Sequence, residues 1–421
     1  MAGRNFVRYS GSHMVGSSRR TLGIVFFTIF LDLMGFGIII PIQPFFAETL
    51  GASPAVVTLL GASFSLMQFL FSPFWGKVSD KVGRRPVLLM SVCVTAVGYL
   101  IFGFAKSLEV LFFARMLAGL GSANIGTAQA IIADSTTPET RAKGMGLIGA
   151  AFGLGFIFGP AIGGFFGQFG LATPAFIAAG LCAVNFFSAY LYLPETHHPG
   201  DRPSETSHFA LSWKAIRHAA RHPNIPQLFL LYFFWTSAFS LMEQVLGMFI
   251  EVTWLRGEGR FPSAMHAREA AALTAWVLIC VGVTATVVQG GLIGKLARRF
   301  GERRLLSTGT CLAGLCLFAI PFVGMLKIFA LLMAVSVLLA VGTGITNPSL
   351  SSLLSQSAAR NEQGTTLGIG QSLGGLGRVF GPAMAGSLFQ IYHGLPFWVG
   401  AVLMFLCSAI TLSIPRPRLN M

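Results

Sequence analysis

Apolar side chains are grouped in long runs from Leu22 to Ile414, and short polar segments separate the runs. Each run has roughly 18 or more residues with few charges, enough for a helix to cross a hydrocarbon core of about 30 Å. The pattern predicts an all-α membrane protein with twelve transmembrane helices. The predicted spans are 21–44, 56–75, 86–105, 110–133, 143–166, 172–193, 226–250, 270–293, 304–325, 328–355, 365–390 and 396–415.

Two motifs of the first half of the chain return in the second half. The loop GKVSDKVGRR at 76–85 is followed by GKLARRFGER at 294–303. Glycines in span five form the pattern G-x8-G-x3-GP-x2-GG, and span eleven repeats this pattern with one Gly changed to Ala. Duplicated halves of this kind usually place the substrate site between them, near the midplane. We therefore predict two pseudo-symmetric six-helix bundles.

The distribution of charge indicates the orientation in the membrane and argues against nucleic-acid binding. Only 10% of residues are charged, against roughly a quarter in soluble domains, and the formal net charge is +14. Lysines and arginines concentrate in alternate loops, so the positive charge reflects topology, not a nucleic-acid surface. This bias places both termini in the cytoplasm.

The six cysteines all lie in apolar runs without metal-ligand spacing, so we expect neither a metal nor a cofactor.

These observations divide the chain into five segments. The longest polar stretch, at 194–225, separates the two bundles. The predicted segments are a cytoplasmic tail at 1–20, the first bundle at 21–193, a cytoplasmic linker at 194–225, the second bundle at 226–415 and a tail at 416–421.

The motifs also carry a family resemblance. The loop at 76–85 resembles the signature loop of the major facilitator superfamily, and the span-five glycines resemble the motif of its drug/proton antiporters. Span one, at 31–41, is similar to the tetracycline/proton antiporters, and Arg115 with Gly119 resembles the R-x-x-x-G element of that group. The chain differs from tetracycline pumps in lacking acids in spans three and nine, which favours the wider antiporter group.

Ionisable side chains inside spans are candidates for coupling, because a charge at bilayer depth is costly and usually faces a cavity. Asp32 lies about eleven residues into span one, roughly 16 Å at 1.5 Å per residue and near the midplane. Glu243 lies in span seven, the pseudo-symmetric partner of span one. We predict that both exchange protons. Arg115 and Arg378 are the predicted charged partners in the membrane: Arg115 holds a partner carboxylate or an anionic substrate, and Arg378 pairs with Glu243 or with a lipid phosphate. The alternative is that these charges only lock helices together.

Three further groups of residues follow from the motifs. A cytoplasmic gate is predicted at Gly76, Asp80, Gly83, Arg84, Arg85 and Asp134. Close helix packing is predicted at Gly146, Gly155, Gly159, Pro160, Gly163 and Gly164. Candidates for the substrate cavity are Gln43, Asn124, Thr127, Gln129, Thr346 and Asn347, although small polar residues are as often packing contacts.

The resemblance and the buried acids together favour a proton-coupled exporter of small amphipathic or cationic compounds that works by alternating access. The alternative is a proton-coupled carrier of a nutrient or metabolite on the same fold. An enzyme is disfavoured because the chain lacks a phosphate-binding loop, an HExxH motif and a nucleophile elbow. The expected partners are a small-molecule substrate, protons and membrane lipid, without nucleic acid. We expect a monomer in a cell membrane, most simply a bacterial inner membrane.

Overall fold

The structure is a computed structural model, and it describes residues 11–196, 217–219, 221–222, 224–256, 264–358 and 363–414. Most of the predicted linker at 194–225, the start of the first tail and the whole tail at 416–421 lie outside the described residues. Within these ranges the secondary structure is helical and contains no strand. The all-α prediction is therefore confirmed for this part of the chain.

Fifteen α-helices follow one another along the described residues. They are α1 (Gly11–Ile39), α2 (Gln43–Thr49), α3 (Pro54–Val82), α4 (Arg84–Phe104), α5 (Leu108–Gly121), α6 (Ile125–Asp134), α7 (Pro138–Gly167), α8 (Thr173–Tyr192), α9 (Ile225–Ile250), α10 (Ala264–Val287), α11 (Ile293–Phe300), α12 (Glu302–Leu326), α13 (Phe329–Ser357), α14 (Gln363–Ile391) and α15 (Leu395–Ser413). Helices α1–α8 are called the first half below, and α9–α15 the second half.

Every predicted span falls on helix, and eleven segments of the described chain are long and apolar enough to cross a membrane. The remaining predicted span, at 365–390, corresponds to α14, which is 29 residues long but is not among these eleven. Its glycines and its polar residues, among them Gln371 and Arg378, dilute its apolar character. The count of twelve membrane spans stays a prediction.

Several helices are bent or interrupted where the pattern predicted continuous spans. Span one ends at Ile39, and the short helix α2 begins at Gln43, so the predicted end of this span at residue 44 was wrong. The prolines at 41 and 44 explain the break, because proline lacks the N–H that an uninterrupted helix needs. Span four is divided by a 3-10 turn at Ser122–Asn124. Pro160 and Pro382, in contrast, lie inside α7 and α14, as predicted.

Glycines allow close approach between helices within each half. A Cβ on Gly159 of α7 would lie 2.7 Å from the Cα of Gly37 in α1. Its repeat, Gly381 of α14, faces α9, where a Cβ would lie 2.6 Å from the carbonyl oxygen of Ser237. Any larger side chain would force these helices apart, so the repeated glycine motif explains the matching α1–α7 and α9–α14 pairs.

The two halves meet along two helix pairs, α3 with α14 and α7 with α10. At one end, a Cβ on Gly386 would collide with Pro54 and one on Gly164 with Ala275. Towards the other end the contacts stop, and Cβ atoms on Gly146 or Gly290 would meet nothing within 4 Å. We call the tightly packed end the closed end. The opposite end, which carries the loops at 76–85 and 294–303, is called the loop end.

A cleft between the halves therefore opens at the loop end. The change in exposure along one face of α14 is consistent with this opening. Gln371, Arg378 and Ala385 are spaced seven residues apart and therefore lie on the same side of the helix. Gln371 and Arg378 are exposed, whereas Ala385 is fully buried. The same face is thus open near the loop end and covered near the closed end.

Candidate functional site

Asp32 lies in a polar cluster inside the first half. Its carboxylate accepts hydrogen bonds from the Nδ2 atoms of Asn124 at 2.7 Å and of Asn185 at 3.4 Å. Asn124 also donates to the hydroxyl of Ser91 at 2.9 Å, so helices α1, α4 and α8 and the span-four break all contribute. Asp32 is only 8% exposed. Within the described part of the chain, no basic side chain forms an ion pair with it.

Asn124 was predicted to line the substrate cavity, and the structure places its amide on Asp32 instead. The 3-10 turn that divides span four ends at Asn124. This turn interrupts the regular helical course of the span close to the amide that reaches Asp32. The break in span four is thus linked to the cluster around Asp32. Thr127, in the following helix, is also buried, and its hydroxyl has no hydrogen-bond partner among the described residues.

A second group of polar residues lies at the interface between the halves. A small cavity there has room for about one water molecule. Arg115 and Gln43 come from the first half, and Glu243 and Gln244 from the second. The remaining lining residues are Phe36, Ile40 and Pro44. Of the predicted cavity residues, Gln43 is the one that reaches this site.

Arg115 is 3% exposed, and its guanidinium lies 4.4 Å from the ring centroid of Phe64. Its Nε and Nη1 atoms are buried without an acceptor among the described residues. The Oε1 atom of Glu243 is likewise buried without a donor in the same part of the chain. Opposite charges therefore face one cavity, one from each half, and do not form an ion pair within 4.0 Å.

Arg378 is the second predicted charge partner. Its side chain lies deep in the protein but is open to the cleft, close enough to Glu243 for their charges to interact. No salt bridge within 4.0 Å joins the two residues in the described structure. The prediction that they pair directly is therefore not met in this conformation.

Contacts of the repeated glycines show which residues of α1 and α9 lie at equivalent levels. Gly159 approaches the carbonyl oxygen of Met34, and its repeat Gly381 approaches that of Ser237. Asp32, two residues before Met34, is thus level with Trp235. Glu243 lies about two turns farther towards the closed end.

The predicted gate residues of the first half are in contact at the loop end. Arg84, at the start of α4, forms salt bridges with Asp80, near the end of α3, and with Asp134 at 3.4 Å. Its Nη1 also donates to the hydroxyl of Ser79 at 2.7 Å. Gly83 allows the tight connection before α4, because its φ is 110°. The charge cluster is present, and its role as a gate stays a prediction.

Glu195 completes this cluster and was missed by sequence reasoning. Its carboxylate accepts the backbone N–H groups of Arg84 at 2.9 Å and Arg85 at 3.1 Å, at the first turn of α4. A helix N-terminus favours such an anion, because its first N–H groups have no partner within the helix. Glu195 is 110 residues away in sequence, so no local pattern could reveal this contact. The start of the linker is thereby attached to the gate loop.

The remaining predicted residues divide into contacts and exposed positions. Gly155, Gly159 and Gly163 pack on α1, with the ring of Pro160 beside Gly37, and Gly164 packs on α10. Gly146 has open space around it. Thr346 is buried and bonds to its own helix, whereas Gln129 is exposed and Asn347 half-buried.

Comparisons with known proteins agree with this architecture. Residues 25–382 match the model of the Major Facilitator Superfamily, and residues 261–420 match it a second time. The class B tetracycline resistance protein of Escherichia coli is 32% identical over 393 residues, which cover 91% of this chain and 92% of that protein.

Two further comparisons extend the similarity. Multidrug resistance protein 2 of Bacillus subtilis is 29% identical over 404 residues, covering 94% of this chain and 96% of that protein. The crystal structure of the nucleoside transporter NupG superposes with a TM-score of 0.71 over 94% of this chain and 98% of that one, at 14% identity. At this identity the structural likeness shows the fold alone.

Proposed function

Because the chain belongs to the Major Facilitator Superfamily, we propose that it is a proton-coupled antiporter that exports small amphipathic or cationic compounds by alternating access. Its long apolar helices and its family make it a multi-pass membrane protein with small-molecule substrates. The resistance functions named for its relatives support export. The finer assignments, namely protons, direction and membrane, belong to this proposal.

The proposal includes the topology. Twelve spans form two bundles, 21–193 and 226–415, and both termini lie in the cytoplasm of a bacterial cell with the protein in its inner membrane. The loop end is then cytoplasmic, and the open cleft corresponds to the inward-open state. A monomer contains both halves of the cleft and suffices for transport.

The observation that carries the proposal is the environment of Asp32. A buried carboxylate normally needs a cation, and the described structure gives it only two amide donors. Neutral donors stabilise the carboxylate without fixing its charge, so a proton can replace the missing cation. An acid near the middle of a membrane helix that alternates between charged and neutral forms is suited to coupling. Glu243, with an unpaired oxygen at the interface, is the second proton-coupling residue in this proposal.

The test is transport into proteoliposomes with an imposed pH gradient, using a panel of fluorescent amphipathic cations. We expect accumulation when the vesicle interior is acidic and loss of accumulation when an ionophore collapses the gradient. Protein-free vesicles are the control for passive entry. Accumulation under the opposite gradient would identify the alternative, a proton-coupled carrier of nutrients or metabolites. Transport at equal rates with and without a gradient would contradict coupling.

A further inference from the structure

The unpaired charges at the interface require an explanation beyond proton coupling. Arginine has five N–H donors and stays charged in proteins. Burying Nε and Nη1 of Arg115 without an acceptor costs free energy that a purely structural arginine would recover through hydrogen bonds. The unpaired Oε1 of Glu243 adds a second such cost in the same cavity. A site with complementary unpaired groups is arranged for a ligand that is absent here.

The geometry of Arg115 indicates what the ligand must offer. The face of its guanidinium is occupied by the ring of Phe64, which holds the plane in position through a cation–π contact. The free Nε–H and Nη1–H groups lie in that plane on different edges of the guanidinium. Each can donate a charge-assisted hydrogen bond to an oxygen of a carboxylate or a similar oxyanion.

The position of the cavity connects it with transport. Arg115 belongs to the first half and Glu243 to the second, and both lie where the halves approach one another towards the closed end. Arg378, open to the cleft, is within electrostatic range of Glu243. The two arginines and the one acid give this region a positive balance when Glu243 is ionised. A compound that is only cationic would leave the donors of Arg115 unpaired in such a site.

We propose that Arg115 and Glu243 form a substrate subsite for compounds that carry both an anionic oxygen group and a cationic group. Arg115 binds the oxyanion through a free N–H group, and Glu243 attracts the cationic part. The body of the compound lies in the cleft. The inference rests on the proposed function only in that the bound compound is the one transported.

The test compares two dyes that differ by one esterification. Rhodamine B carries a carboxylate and a delocalised cation, whereas its ethyl ester keeps the cation and lacks the carboxylate. Binding to the purified full-length protein in detergent is measured by fluorescence polarisation at neutral pH. We expect the acid to bind at least about tenfold more tightly than the ester, because a charge-assisted hydrogen bond is worth that much.

Variants test whether Arg115 causes the preference for the acid over the ester. Arg115→Gln should bring the affinities for acid and ester within about twofold of each other, and ester binding in the same preparation checks folding. Arg299→Gln, which removes an exposed arginine at the loop end, is the matched control and should keep the wild-type ratio. Glu243→Gln should weaken both dyes by a similar factor and leave the ratio intact.

Equal binding of the two dyes to the wild-type protein would overturn the inference, as would failure of rhodamine B to bind at all. A preference that survives Arg115→Gln would also overturn it. Because the measurement uses no pH gradient, the outcome is separate from proton coupling. If the protein prefers the acid but transports equally well without a gradient, the subsite is supported and the proposed proton coupling is contradicted.

Discussion

The loops at 76–85 and 294–303 share a backbone conformation and differ in charge. Gly83 and Gly301 both have positive φ, and the arginines that follow, Arg85 and Arg303, both donate to carbonyl groups at the end of the last helix of their own half. Between glycine and arginine, however, the first half has Arg84 and the second has Glu302. The duplicated loop has therefore kept its geometry and reversed the charge at two positions, since Arg298 also stands where the first half has Asp80.

The partners of Arg84 and Glu302 also differ between the halves. Arg84 binds Asp134 at the end of span four, and Glu302 accepts from Gln356, the residue that the glycine repeat aligns with Asp134. Glu302 also accepts from Ser352 at 3.2 Å. The first half thus has an ion cluster around the buried Arg84, where the described part of the second half has hydrogen bonds to neutral side chains. We therefore propose that the gate lies in the loop of the first half and not in its counterpart.

Arg84→Gln should have the largest effect on stability. Removing the cation leaves Asp80 and Asp134 facing each other, with side chains only 13% and 20% exposed. Breaking a buried ion pair from one side costs about 3 kcal/mol, and partial exposure of the acids reduces this towards 2 kcal/mol. Thermal unfolding in detergent measures the loss. A melting temperature equal to that of the wild type would show that the cluster contributes nothing.

Glu195→Ala should have an intermediate effect of about 1–2 kcal/mol. It leaves two N–H groups at the start of α4 without their carboxylate and removes an anion from the helix N-terminus. Glu195→Gln keeps an oxygen acceptor and should cost about half as much. The same unfolding assay ranks the two variants. Equal stability of the Ala variant and the wild type would argue against the link between linker and gate.

Glu302→Gln should have the smallest effect, below about 0.5 kcal/mol. The amide oxygen of Gln can still accept from Ser352 and Gln356, so only the charge is lost, near the surface. This variant is the counterpart of Arg84→Gln in the other half. If it destabilised the protein as much as Arg84→Gln does, the proposed asymmetry between the halves would be wrong.

The sequence alone predicted the features that follow from local patterns. Helices follow from apolar runs, close helix packing from the repeated glycines, and the family from the loop at 76–85, whereas the partner helices of these glycines appear only in the structure. The family resemblance is confirmed by the match over most of the chain. Contacts of Arg84 with Asp80 and Asp134 were also anticipated, because these residues lie at adjacent ends of predicted spans.

The candidate site was only partly predictable, because its contacts join distant segments. Asn185 reaches Asp32 across 153 positions, and Gln244 reaches the cavity at the interface only because the halves dock. Neither residue has a local pattern that distinguishes it from a packing residue. The role of Asn124 depends on the break in span four, which hydropathy does not show.

The central claim is that Asp32 couples protons to compound transport, and Asp32→Asn tests it most directly. The same proteoliposomes are assayed in two modes, accumulation driven by a pH gradient and exchange of labelled for unlabelled compound without a gradient. We expect Asp32→Asn to abolish gradient-driven accumulation and to retain exchange, because the amide preserves side-chain volume but cannot carry the proton. Gradient-driven accumulation at the wild-type rate in this variant would show that Asp32 does not couple protons to transport.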